Sequence, residues 1–460
     1  MAGIGFELRK LLRRDDLLGV LQSYGHSALT ATGPWLLTIL MLSGTVFLGG
    51  EAIDLDELAQ FRLIVIYNFA FSLVFAGPPS MVATRYLADA IYVKRVDEAP
   101  SLMLGYLTVL LAVEAPLVIA FYVWVVDVSD ILAVVAIGNF FVVTGIWLVT
   151  TFLSALKDYG AVTRAFAFGT GLALLSAWAG TASGSAAAML AGFSTGLALI
   201  FFLLLARVYA EYPYAVVHPF RHGGSFAKYW ELALSGAVYN SAIWVDKWVM
   251  WFAPEREQLA SGMLSYPDYD SAMFLAYLTI VPSIAAFVLT VETDFFESYQ
   301  RFYARIQQHA SFDTIDAAHR DIISSILRGA RTFVVLQGSI CVATILLAPR
   351  LFTVLNINFA QIGMFRIGVL GAFFHVLSLA LSITLSYFDL RRQALWLQAL
   401  FLVANGALTW LFMGMGHAYY GYGYFLSALI TFAATFLVVA HYVGRLPYQT
   451  FVVSNTSVTA

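Results

Sequence analysis

A handful of polar side chains stand where an apolar chain has least reason to carry them. Glu114 lies halfway along the run 100–126, two residues before Pro116, and His375 lies at the middle of 362–388. Asn68, Asn240 and Asn405 are amides inside three further runs, and Asp246 and Lys247 fall toward the end of 229–252. An ionised side chain at mid-bilayer costs on the order of 2.5–3.5 kcal/mol even on the lenient insertion scale, so such groups face protein or water. In a water-filled cavity Glu114 and His375 would offer a carboxylate and an imidazole to a polar passenger. The asparagines have a plainer use, hydrogen bonding between helices, beside pore lining. For Asp246 the structural and functional readings stand level; it, Lys247 and Arg366 are near enough to run ends to snorkel.

These residues form no catalytic constellation. The chain has no P-loop, no GxGxxG after a strand, no HExxH, no GxSxG and no clustered metal ligands. Catalytic residues, metal and cofactor are therefore all assigned as none, and the chain is read as a non-enzyme. A membrane glycosyltransferase would mount its acids on a substantial extramembrane loop, and the longest outer loop, about 253–269, is too short for one. An ATP-driven pump is excluded on the same grounds.

The elements that must position these groups are membrane helices. Of 460 residues, 60% are hydrophobic and only 12% charged, with mean hydropathy +0.80. Soluble domains carry about 25% charged residues, so lipid must solvate most of this chain. The net charge of −3 makes no case for a nucleic-acid partner, and none is assigned. Cys341 is the lone cysteine and lies inside an apolar run, which rules out an intrachain disulfide. The first residues, MAGIGFELRKLLRRDDLLG, are too charged for a cleavable signal peptide. Runs of about 20 residues, enough to cross a ~30 Å hydrocarbon layer, lie near 24–49, 60–84, 100–126, 131–155, 162–182, 186–209, 229–252, 270–292, 332–355, 362–388, 393–414 and 419–443. The reading is an all-α polytopic protein of about twelve transmembrane helices. The split within 162–209, where only TASGS intervenes, is the hardest boundary to read.

Charge sets the orientation. With the N-terminus in the cytoplasm, 20 of the 25 Lys and Arg residues fall on cytoplasmic segments; only Arg62, Lys247, Arg256, Arg350 and Arg366 fall toward the other side. The outer loops are acidic or neutral, as in EAIDLDELA, DVSD and PDYD. Both termini are thus expected in the cytoplasm.

Weak internal matches point to two parallel halves. Pro79-Ser80 recurs as Pro282-Ser283 at an offset of 203, and Trp35 pairs with Trp244 at 209. FLSALKDYG around Ser154 resembles TLSYFDLRR around Ser386 at 232. The offset grows by 29 between the proline and serine pairs, which the long segment 293–331 accounts for. The expected organisation is an interfacial helix at 1–20, a first six-helix half at 21–215 and a second at 216–460. That is a transporter architecture, with a cavity between the halves.

Two stretches are amphipathic. In DFFESYQRFYARI, Phe295, Tyr299, Phe302, Tyr303 and Ile306 share one helical face. Asp313 can cap a second helix that displays Ile315, Ile322, Ile323 and Ile326. Near the N-terminus Ile4, Leu8, Leu11 and Leu12 oppose Arg9, Lys10, Arg13 and Arg14. Such helices either lie on the leaflet, with bases near anionic lipid, or dock a cytoplasmic partner. For the N-terminal helix lipid is preferred; for 295–327 both readings stand.

Four strings carry a family resemblance: MAGIGFELRKLL, GPWLLT in the first run, GPPSMVATRYLAD ending the second, and VPSIAAFVLTVETDFFESYQRFY running out of the eighth. Over its whole length the chain resembles the Pel exopolysaccharide export proteins of the inner membrane (PelG family), which resemble the multidrug/oligosaccharidyl-lipid/polysaccharide flippase superfamily. The resemblance implies multi-pass residence in the bacterial inner membrane and passage of a nascent, N-acetylgalactosamine/galactosamine-rich polymer. It also implies work with a cytoplasmic glycosyltransferase and a cyclic-di-GMP-sensing membrane partner. It assigns no individual residue. From the residues themselves, Glu114, Asp246, His375, Asn68 and Asn240 are the candidates for the substrate pathway. Phe295, Tyr299, Phe302 and Tyr303 are the candidates for partner docking. Two rival functions stand: an ion-coupled flippase or exporter of lipid-linked oligosaccharides or drugs, and a non-transporting scaffold for the glycosyltransferase.

Overall fold

The computed structural model describes residues 33, 36–50, 52–94, 96–156, 159–290, 294–355 and 357–453. The expected interfacial helix at 1–20, and Trp35, lie outside them. Two units divide the described chain between Pro267 and Asp268.

In the first unit α1 (Leu36–Gly49) leads to α2 (Leu55–Tyr92). Asp54 caps α2 by accepting the Leu55 amide at 2.8 Å, and Asp56 and Glu57 place acids in its first turn, where the helix dipole favours them. Glu57 also accepts the Ala186 amide at 2.7 Å, which ties in the start of a later helix. Pro78 and Pro79 lie inside α2 without ending it, leaving the Val74 and Phe75 carbonyls without helical donors. Next comes α3 (Ala99–Ala120), which opens on Pro100 and winds into a wider π turn over Phe121–Val125. After it come α4 (Asp130–Leu156), α5 (Tyr159–Thr181) and α6 (Ala186–Glu211). Gly184, at φ +63°, turns the chain between α5 and α6, so the run 162–209 does form two helices. Those two run close together. The Ser176 hydroxyl donates to the Gly192 carbonyl at 2.7 Å, a contact open only to small residues.

The seventh run departs from expectation. Instead of one span over 229–252, the chain forms α7 (Trp230–Ala242) and α8 (Val245–Met250). The cause is local. The Trp244 amide bonds the Ser241 carbonyl at 3.1 Å, a tighter turn, and the Lys247 ammonium takes the Ile243 carbonyl at 3.1 Å. A hairpin of β1 (Glu257–Gln258) and β2 (Leu264–Ser265) closes the unit. By contact α7 packs along α2, and α7 and α8 both fall within the first unit.

The second unit opens with α9 (Pro267–Leu278), whose first residue lies at the boundary, and α10 (Val281–Thr290). After α11 (Phe296–Gln307) the chain turns at His309, φ +52°, into α12 (Phe312–Val354). This helix has 43 residues, about 64 Å at 1.5 Å per residue and roughly twice the thickness of the hydrocarbon layer. The second amphipathic segment and the span read at 332–355 are therefore one continuous rod, not a surface helix followed by a span. Its N-cap is Ser311, with Asp313 in the first turn, so Asp313 favours the helix dipole and does not act as the cap. Then come α13 (Ile362–Tyr387), α14 (Arg391–Met413) and α15 (Tyr422–Gly444), with α15 lying along both of the others.

Among the described residues ten helical stretches are long and apolar enough to cross a bilayer. Of the twelve expected, the first lies partly outside the described residues, and the seventh is the broken pair α7 and α8.

Candidate functional site

The apolar faces of α2, α3 and α4 enclose a run of polar groups. Asn68 is buried; its amide donates to the Asn139 side chain and the Ala136 carbonyl, both at 2.9 Å. Its own oxygen accepts the Tyr122 hydroxyl at 2.7 Å, and Asn139 passes a bond on to Ser194 at 2.8 Å. One turn further along α2, the Ser72 hydroxyl accepts the Trp147 indole N–H at 3.2 Å. Asn68 therefore serves as a clamp among α2, α4 and the π turn. Asn240 has a similar part, donating to the Leu73 carbonyl at 2.8 Å where the two prolines interrupt the α2 ladder.

An aromatic wall stands beside this seam. Tyr67 stacks on Trp251 at 4.5 Å and 7°, and Phe71 on Trp248 at 5.1 Å and 5°. The Tyr67 hydroxyl donates to the Leu264 carbonyl at 2.7 Å, which fastens the hairpin. Trp251 is thus a packing residue, and its ring face is already occupied.

The acids are less available than their sequence context implies. Asp246 is fully buried, and Lys247 Nζ lies 3.0 Å from both of its carboxylate oxygens. Neither residue snorkels; each is held inside the unit. A buried acid paired in this way offers no free charge to a passenger. Glu114, on α3, is fully buried with no hydrogen-bond partner for either oxygen. It interacts with the Thr144 hydroxyl of α4, short of hydrogen-bond geometry.

His375 belongs to the second unit, where rings surround it: Tyr277 at 5.7 Å, Phe401 at 4.9 Å and Tyr424 at 6.0 Å between centroids. Asn68, Asn240, Asp246 and Glu114 belong to the first. Tyr122, Asn139 and Gln337 are buried polar residues beyond those expected from the sequence. Asn139 and Gln337 carry the signal that flagged Asn68, an amide within an apolar run; Gln337 is fully buried without a hydrogen-bond partner for its amide. Tyr122 carries no such signal, since tyrosine is common in these runs.

The aromatic face of α11 is covered by the chain itself. Phe295 and Phe302 are buried and Tyr299 and Tyr303 half-buried, against Ile315 and Ile322 of α12 and Leu385, Val439 and Val443. The Tyr299 hydroxyl donates to the Tyr387 carbonyl at 3.1 Å, and a His319 ring nitrogen sits 2.7 Å from the Val443 carbonyl. Burial pushes the Tyr303 hydroxyl up to about 12, with Tyr299 adding to the shift, so the phenol is neutral at physiological pH. The face read as free for lipid or a partner instead closes on the ends of α13 and α15, the nearest apolar surface. What α11 shows outward is Gln300, Gln307 and Arg301, the last 3.5 Å from Asp321 of α12.

Residues 1–451 match the model of the PelG family, described as "Putative exopolysaccharide Exporter (EPS-E)". The chain belongs to the PelG family. No curated protein matches it. Solved structures similar to this PelG-family chain include an outward-facing multidrug resistance MATE family transporter of the MOP superfamily, 13% identical with TM-score 0.62 over 92% of this chain and 96% of that one. An inward-facing form gives 12% and 0.61 over 87% and 94%. A MOP superfamily transporter from Pyrococcus furiosus Vc1 (DSM3638) gives 14% and 0.59 over 91% and 96%. At such identities the likeness is one of fold: this PelG-family chain is a multi-pass membrane protein with a MATE-like transporter fold.

Proposed function

We propose that the chain carries a nascent exopolysaccharide across the bacterial inner membrane as the transport component of a synthase complex. The observation that carries the reading is the family match over 1–451, and a MATE-like fold supports it. Family and fold point to a transporter rather than an enzyme. The polymer is of the Pel type, rich in N-acetylgalactosamine and galactosamine. A cytoplasmic glycosyltransferase delivers it, and a cyclic-di-GMP-sensing membrane partner supplies regulation. Because the aromatic face of α11 is internal, the glycosyltransferase meets the charged outer face of α11 and the polar half of α12. The fold supports the rival reading of an exporter of drugs or lipid-linked oligosaccharides, since the similar solved transporters include multidrug resistance proteins.

Inverted membrane vesicles that hold the synthase machinery test the reading. With the chain present, polymer should accumulate inside, protected from an added glycoside hydrolase; without it, polymer should stay outside and be digested. If removing the chain abolishes synthesis and protected polymer never accumulates, the scaffold reading replaces transport.

Orientation gives a second expected result. In a Cys341→Ala background, a cysteine at the exposed position Ser311 should resist a membrane-impermeant maleimide applied to intact cells and react once the inner membrane is opened. Labelling in intact cells would invert the topology.

A further inference from the structure

Over the mutually packed stretches 63–84 of α2, 99–126 of α3 with its π turn, and 131–156 of α4, Glu114 is the one residue drawn from Asp, Glu, Lys, Arg and His. It is fully buried, and both carboxylate oxygens lack a hydrogen-bond partner. Among the described residues, no charged side chain of the elements that pack on α3 pairs with it. The charged residues of α2 are Asp56, Glu57, Arg62, Arg85 and Asp89, all toward its ends, and that of α4 is Asp130, at its start. The turn Pro219–Gly223 brings Arg221 and His222, and His222 faces Glu98 at 3.9 Å; the short helix Gly224–Lys228, whose Phe226 packs on Tyr106 of α3, brings Lys228, whose ammonium lies 4.7 Å over the Tyr229 ring. Of the phenols nearby, Tyr122 gives its hydrogen to Asn68 and Tyr67 to Leu264.

A buried carboxylate needs a compensating positive charge. A metal ion requires several oxygen ligands at once. Here the carboxyl and the Thr144 hydroxyl are too few, and among the described residues no three His, Cys, Asp or Glu gather to hold one. A proton needs only the carboxylate. We propose that Glu114 is a proton-binding site, occupied while α2, α3 and α4 are packed as seen and emptied when their interface opens to water. The side chain then works as a switch on helix packing rather than as a polymer contact, since it offers no surface to a sugar. The inference draws on the transport reading only for the opening and closing that a transporter performs.

The full chain in lipid nanodiscs provides the test. Dicyclohexylcarbodiimide, which attacks protonated carboxyls in apolar surroundings, should give an adduct that peptide mapping places on Glu114. Its yield should fall several-fold from mildly acidic to alkaline buffer, and Glu114→Gln should abolish it. Hydrogen–deuterium exchange reads the packing, with both proteins compared in the same buffer. The α3 and α4 amides of the wild type should match Glu114→Gln at acidic pH and exchange several-fold faster at alkaline pH. Glu114→Asp keeps a titrating group and should keep the pH dependence. Absence of an adduct at Glu114, a yield indifferent to pH, or equal exchange in wild type and Glu114→Gln at every pH would overturn the proposal. Neither readout uses polymer, so failure here leaves the transport reading standing, and failure of vesicle accumulation leaves this one standing.

Discussion

Phe302→Ala should lower the stability of the second unit by about 3–5 kcal/mol, the range for emptying a buried aromatic site. Phe302 is fully buried at the centre of the α11–α12 contact, its ring 5.2 Å from Tyr303 and 6.4 Å from His319. Truncation leaves a void walled by Ile315 and Ile322 of a long, continuous helix that has little freedom to collapse inward. Thermal unfolding in detergent should show the loss, and limited proteolysis should cut α11 more readily. Gln300→Ala, on the exposed face of the same helix, should stay within about 0.5 kcal/mol of wild type. The comparison also bears on partner docking. If Phe302→Ala were as stable as Gln300→Ala yet lost the glycosyltransferase on co-purification, the aromatic face would be a docking surface after all.

Gly77→Ala should break the contact between α2 and α7 despite adding a single methyl group. A Cβ at Gly77 would lie 2.6 Å from the Gly236 carbonyl oxygen and 2.7 Å from Asn240 Nδ2; one at Gly236 would lie 2.4 Å from the Gly77 carbonyl oxygen. Backbone cannot rotate away as a side chain can, so the helices must part. Overpacking of this kind costs about 1–3 kcal/mol, and losing the Asn240–Leu73 bond adds about 1 kcal/mol. The loss falls where Pro78 and Pro79 already weaken α2, so local opening there should be large. Gly138→Ala is the control. Nothing lies within 4 Å of its added methyl, and alanine in a helix gains up to about 1 kcal/mol over glycine. Equal melting temperatures for the two variants would show that the close approach carries no energetic weight.

Both results concern contacts that composition and periodicity do not reveal, and the division is physical. Lipid has no hydrogen bonds to offer the backbone, so each long apolar run must satisfy its own as a helix. That rule is local, which is why the helical class, the membrane setting and most helix limits can be read from residues near one another. The same locality explains the miss over 293–331, whereas the break in 229–252 is a local event made by hydrogen bonds that hydropathy does not register. The break at Ile243 and Trp244 depends on where the Lys247 ammonium goes, and the apolar face of α11 on which surface is nearest once the chain has folded. The family resemblance is legible in strings such as GPPSMVATRYLAD, which hydropathy does not explain, and the family match spans residues 1–451.

The sequence by itself therefore determined the solvent, the helices and the list of costly polar residues, because transfer free energy is a sum over short stretches of chain. Only the tertiary structure decided which partner each polar residue meets. Asn68 finds Tyr122 and Asn139 at separations of 54 and 71 residues, and Glu114, among the described residues, is left buried with no hydrogen-bond partner. A buried group's partner is set by the faces that close around it, and those faces come from helices far apart in the chain.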